Sequence, residues 1–168
     1  MAGLTIRLAE VKDAPAITGI WNHVIETSTA TFTTELKTLE GITATIAAGP
    51  QTLVAEEGGE VIGFATYFAF RGGVGYARTK ELSIHLAPEA QGRGAGTALL
   101  RGLIDLARRN GVASLWAGIS SSNPRSITFH TREGFKEIAT LPKVGFKWGE
   151  WFDLHLLRLW LEEPEERG

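Results

Sequence analysis

The sequence predicts an α/β layer fold around a mixed, largely antiparallel sheet. Three observations predict it. Short strand-like segments punctuated by Gly, Pro and Asn recur along the chain. Two of them flank the dipeptide Gly58-Gly59, a mark of an antiparallel hairpin. Two others flank an amphipathic helix over Gly94 to Asn110, as in a βαβ crossover. At 168 residues the chain fits one domain with one core, assigned to residues 1–161.

The elements follow in order. Leu4 to Leu8 alternates apolar and polar residues and reads as a strand. Asp13 offers a helix N-cap, with Pro15 in the first turn. Ile17, Ile20, Trp21, Val24 and Ile25 then form one buried stripe at helical spacing. Thr38 to Ala48 is a second, weaker helix, ended by Gly49-Pro50. Gln51 to Glu57 and Val61 to Phe70 are the hairpin strands, and Arg71 to Gly75 is a glycine-rich loop. Lys80 to Ala87 is a strand closed by Pro88. In the helix Gly94 to Asn110, Leu99, Leu103 and Leu106 share a face, and Gly111 stands at its C-terminus. Ala113 to Ile119 is a strand. Asn123-Pro124 caps and opens a further helix, which Gly134 ends, and Phe135 begins the next strand. Trp151 to Trp160 is a strand candidate, with helix as the alternative.

Composition narrows the function classes. Hydrophobic residues make up 43% and charged residues 21%, the balance of an ordinary soluble protein. No apolar run approaches a membrane span, and Met1 to Glu10 lacks the order of a signal peptide. The expected location is the cytoplasm. The chain has no cysteine, which excludes disulfides, thiolate metal sites and a cysteine acyl-enzyme. No metal-ligand spacing is present. A net charge of −2 argues against nucleic acid as a partner. Residues 162–168 read as an acidic, solvated tail.

The most informative segment is Gln91-Gly92-Arg93-Gly94-Ala95-Gly96, which follows a strand and opens a helix. Amide groups at a helix start are free to bind an anion, assisted by the helix dipole. Glycine lets the backbone approach phosphate oxygens, and Arg93 can add a charge-assisted contact. A plain structural turn is the competing reading. The spacing is that of neither the dinucleotide fingerprint nor the nucleotide P-loop. The pattern alone therefore says anion, in particular a pyrophosphate, and stops there.

Residues Gln91 to Gly96 resemble the Q/R-x-x-G-x-G/A loop of the GNAT acetyltransferase superfamily. Asn123-x-x-Ser126-x-x-x-His130-x-x-x-Gly134-Phe135 resembles that superfamily's later helix and strand. Three further segments look like the phosphinothricin and methionine sulfoximine N-acetyltransferases. They are Thr27-Ser28-Thr29-Ala30-Thr31-Phe32, Tyr76-x-x-Thr79-x-Glu81 and Val144-Gly145-Phe146-Lys147-x-Gly149-x-Trp151-x-Asp153. The resemblance runs from about Ile6 to Asp153. Lys80 stands where the family usually has an apolar residue and His85 where it often has tyrosine. These departures bear on the substrate more than on the reaction.

The resemblance implies a GNAT fold: a mixed sheet splayed near its middle, helices on both faces, and acetyl-CoA in the cleft. The pyrophosphate is expected on Gln91, Gly92, Arg93, Gly94, Ala95, Gly96 and Thr97. The pantetheine arm is expected along the backbone of Ile84, His85 and Leu86. Asn123 has two readings, a helix N-cap and a hydrogen bond to that arm; Ser126 is similar. A homodimer is implied, and no metal.

An alkyl amine is protonated near neutral pH, so attack on a thioester needs a general base. Glu81, Ser83 and His85 form a polar row on an otherwise apolar strand. That row is a solvent face on pattern alone; the resemblance makes Glu81 the base. It likewise places His130 near the cofactor sulfur, as acid or as positioning group, where packing is the plainer reading. His23 and His155 read as structural. With neither cysteine nor a Gly-x-Ser-x-Gly elbow, direct attack in a ternary complex is expected. Backbone near Leu86 is then positioned to polarise the carbonyl. An amino-acid-like substrate needs an anion clamp, and Arg71 and Arg78 are the candidates, with a solvated surface charge as the alternative. Phe32 and Tyr76 are candidate pocket walls, with core packing equally open for Phe32. Trp148 and Trp151 are open to core, pocket or dimer roles. The competing functions are a protein or peptide N-acetyltransferase and a non-enzymatic acetyl-CoA-binding module.

Overall fold

A computed structural model describes residues 3–162. The strands are β1 (Thr5–Leu8), β2 (Thr52–Glu57), β3 (Glu60–Ala69), β4 (Thr79–Leu86), β5 (Ser114–Ser120), β6 (Lys136–Lys147) and β7 (Glu150–Trp160). The helices are α1 (Ala14–Thr27), α2 (Leu39–Ala48), α3 (Ala95–Arg109) and α4 (Pro124–Arg132). The strands form one sheet in the order β1-β2-β3-β4-β5-β7-β6. Only β4 and β5 run parallel, joined by α3 as the crossover; the other neighbours are antiparallel. The mixed, open sheet agrees with the expected class, and the segment ending at Trp160 is a strand.

Local chemistry accounts for the breaks. Gly58 and Gly59 both have positive φ, 61° and 80°, as a two-residue hairpin turn of matching twist requires. Thr38 caps α2 by accepting the Gly41 N–H at 3.0 Å. On α3 the residues Leu99, Leu100, Leu103, Ile104, Leu106 and Ala107 are buried, one stripe packed against β2, β3 and β4. Truncating one of these leucines to alanine removes about 2–5 kcal/mol. Trp21 of α1 packs on Phe64 and His85, so α1 covers the opposite face of the sheet.

Two expected caps are absent. Asp13 makes no side-chain cap bond to α1. Its carboxylate accepts from both terminal nitrogens of Arg7, at 2.7 and 2.9 Å, and from the Glu10 N–H at 2.8 Å. The bidentate guanidinium holds this buried carboxyl below the usual carboxylate range. A capping carboxylate and an ion-paired one look alike in sequence, because the partner lies on β1. Asn123 likewise makes no cap bond to α4. Of the acidic tail, Glu162 pairs with Arg78 and residues 163–168 lie outside the described residues.

Candidate active site

Pairing between β4 and β5 runs through Thr79–Ser114, Lys80–Leu115 and Glu81–Trp116, where it stops. Both strands continue, to Leu86 and Ser120, without each other. The sheet therefore opens at Glu81. A cavity of about 330 Å³ fills the fork. Glu81, Ser83 and His85 reach it from β4, Gly118 and Ser120 from β5, and His130 from α4.

The Glu81 carboxyl lies over Gly118: a Cβ on that glycine would stand 2.8 Å from Glu81 Oε1. Burial with no compensating charge pushes the Glu81 carboxyl above its ordinary value. That shift makes a carboxylate a stronger base near neutral pH. His85, packed on Trp21 and Phe64, is driven down to about 4 by burial and is neutral.

His130 has a defined tautomer. Its Nδ1 lies 2.7 Å from the Ser126 carbonyl, which can only accept, so Nδ1 carries the hydrogen. Burial outweighs that bond and lowers the imidazole's pKa from the ordinary 6.5. The rings of Phe129 and Phe135 meet it edge-on. In the neutral ring Nε2 is then an acceptor. It is buried, lacks any hydrogen-bond partner, and belongs to a residue lining the cavity.

A wider cleft of about 690 Å³ adjoins the fork. Ile84, His85 and Leu86 line it on one side, with Gln91, Gly92, Gly94, Gly96 and Thr97 at one end. Gly92 and Gly94 have φ of 78° and 84°, a left-handed backbone that brings the loop round into α3. The first α-helical bond there is Ala98 N–H to Gly94 O, which leaves the preceding amides as donors. Ala95 is buried and absent from the cleft lining. Asn123 and Ser126 line both hollows. An unpaired strand edge, free helix-start amides and an uncapped Asn123 side chain fit a long ligand with an amide arm and a pyrophosphate. Among the described residues no group of three His, Asp or Glu side chains could hold a metal.

Other expected residues stand elsewhere. Arg93 bonds Glu57 on β2 at 2.9 Å and is absent from the cleft lining. Arg78 donates Nε–H to Gly111 O at 3.0 Å and pairs with Glu162. Arg71 sits 5.9 Å from the ring of exposed Tyr76, and neither lines the Glu81 cavity. Phe32 does, stacked on Phe152 with centroids 5.9 Å apart.

The chain matches the model of the Acetyltransferase (GNAT) family over residues 17–135. It belongs to the GNAT family. It is 39% identical over 164 residues to an L-methionine sulfoximine/L-methionine sulfone acetyltransferase of Salmonella typhimurium, covering 95% of this chain and 96% of that one. A phosphinothricin N-acetyltransferase of Alcaligenes faecalis is 35% identical, covering 92% and 81%. A Salmonella typhimurium acetyltransferase structure, solved with its cofactor acetyl-CoA, superposes at a TM-score of 0.93 with 38% identity, covering 99% and 98%. This GNAT chain is thus an acetyl-CoA-dependent N-acetyltransferase, as expected.

Sequence reasoning missed several residues of this GNAT site. Gly118 lies on the segment Ala113 to Ile119, read only as a strand, and Ser120 just beyond it; an internal strand glycine was the available signal of close approach. Phe68 lines the cavity and carried no signal, and Thr31 was quoted only within a motif. His155 bonds exposed Glu137 at 2.6 Å, in keeping with a structural role.

Proposed function

We propose that the enzyme acetylates the α-amine of a small amino-acid-like molecule of the methionine sulfone or phosphinothricin type, by direct attack. The observation that carries this is the partly buried Glu81 carboxylate in a cavity of about 330 Å³ that adjoins the wider cleft. The names of the relatives support the acceptor class.

Acetyl-CoA, when bound, supplies the acetyl thioester. Glu81 takes a proton from the ammonium, freeing the nitrogen lone pair. Backbone amides of the unpaired β4 edge near Leu86 orient and polarise the carbonyl. The attacking nitrogen loses a second proton as the carbon–sulfur bond breaks, and the departing thiolate takes it up. His130, neutral and with its one N–H committed to Ser126, acts as a hydrogen-bond acceptor at Nε2. It orients the amine or the arm and is not the thiolate's acid. Arg71 is the remaining candidate for the substrate carboxylate, because Arg78 is committed to Gly111 and Glu162.

The homodimer belongs to the same proposal. It is supported by Phe146, Trp148, Trp151 and Trp160, each more than half exposed on β6, β7 and their turn. Sedimentation of the purified chain as a monomer at micromolar concentration overturns it. The cytoplasmic location is supported by composition alone.

Thiol release from acetyl-CoA tests the function with methionine sulfoximine, methionine sulfone, phosphinothricin, glutamate and a short peptide as acceptors. Turnover on the first three, lost in Glu81→Gln with acetyl-CoA binding retained, is the expected result. Turnover on the peptide alone moves the enzyme to protein acetylation.

A further inference from the structure

We propose that Lys147 is a positioning residue for the acceptor amine, its buried ammonium holding the Thr31–Phe32 wall of the Glu81 cavity. This rests on the reading of that cavity as the acceptor site.

Lys147 ends β6 and is 1% exposed. A lysine is buried only where its three N–H groups find partners, and packed apolar side chains would serve the fold as well. Here Nζ donates to the carbonyls of Ile25 at 2.7 Å, Ser28 at 2.7 Å and Thr31 at 3.0 Å. The first two lie at the C-terminal end of α1, where carbonyls carry partial negative charge. The third lies in the segment that leads to Phe32. One cation thus fixes how the chain leaves α1 and where Thr31 stands.

That segment divides the two hollows. Thr27 to Ala30 line the cofactor cleft, and Ala30 to Phe32 line the Glu81 cavity. The cofactor end shares the Lys147 bond at Ser28 and has further ties of its own: Thr29 Oγ1 to Ser122 at 2.8 Å and the Ala30 N–H to Ser28 Oγ at 2.9 Å. The Thr31–Phe32 end is held by Lys147 and by the seating of the Phe32 ring. That seat is Gly145, where a Cβ would come within 2.3 Å of the ring. Gly145 and Lys147 alternate with exposed Phe146, so one face of β6 supplies both seat and clamp. Asymmetric support predicts an asymmetric effect. Loss of the ammonium should loosen the acceptor wall and spare the cofactor.

The test compares Lys147→Met with the native enzyme. Methionine keeps the stem and removes the donors. The KM for methionine sulfone should rise about tenfold or more, as misplacement of a substrate wall does. Acetyl-CoA affinity by titration should stay within about threefold, because Thr29 and Ala30 keep their own ties when the ammonium is lost. Amide hydrogen exchange at Thr31 and Phe32 should quicken. An unchanged KM with a lower Tm, or equal losses for amine and acetyl-CoA, overturns the proposal. If Lys147→Met does not fold, Gly145→Ala unseats Phe32 with the lysine intact, and an unchanged amine KM there overturns it. A native enzyme without amine turnover sinks the acceptor reading alone. Exchange rates then decide the clamp, and unchanged rates reject it.

Discussion

Gly118 lies directly beneath Glu81, with room for a hydrogen and none for a methyl group: a Cβ would stand 2.8 Å from Oε1. Gly118→Ala must therefore push the carboxylate off its place. Its backbone φ is not in the left-handed region, so alanine is otherwise tolerated. The expected outcome is a kcat fall of about 10- to 100-fold with little change in acetyl-CoA affinity, since displacing a base by under an ångström has that scale. Steady-state kinetics and cofactor titration check it.

The pH profile carries the second prediction. Glu81 must be ionised to act as base, and burial raises its pKa from the ordinary 4.5. Thus kcat/KM should climb with pH through a value above the ordinary 4.5. Glu81→Gln should abolish that limb and lower the rate by about 10²–10⁴-fold. For an acid with raised folded pKa, the contribution to stability is lost as pH rises through that pKa. Glu81→Gln should accordingly have an equal or higher Tm at neutral pH.

His130 should titrate below the ordinary 6.5, with the hydrogen on Nδ1. Nitrogen-15 NMR of the ring reads both properties. Its depressed folded pKa means that stability is present above about pH 6.5 and is lost as pH falls below that through the lower folded pKa. A His130 that is protonated at neutral pH would remove the acceptor role and restore that of the acid.

Arg71 and Arg78 separate cleanly. Arg78→Ala should leave the amine KM within about twofold and cost at most about 1 kcal/mol, because its pair with Glu162 is largely exposed. Arg71→Ala should raise the amine KM by about tenfold, the scale of a lost charge-assisted contact. Equal effects on the two variants would mean that neither grips the carboxylate.

What the sequence disclosed was local. The Gly58-Gly59 hairpin, the leucine stripe of α3 and the Gln91–Gly96 turn each depend on neighbours a few positions away, so pattern suffices. Pattern did not disclose the partners of Asp13, Arg78 and Arg93 because those partners are not adjacent in sequence: Arg7 on β1, Gly111 with Glu162, and Glu57. Lys147 was quoted only as a motif letter. Nothing in Phe146-Lys147-Trp148 says that a lysine turns inward to three carbonyls more than a hundred positions earlier.

The short seam from Thr79–Ser114 to Glu81–Trp116 is also the whole of the ladder between two parts of the sheet. On one side stand β1 to β4, on the other β5 to β7. Leu86 and Asn123 line one cleft from the two sides, so a ligand bound there would touch both parts and fill a joint that the polypeptide leaves open. Because it binds only when the two parts are assembled, occupancy adds its own binding free energy to the cohesion of the whole. The melting temperature of the enzyme should therefore rise with the concentration of acetyl-CoA.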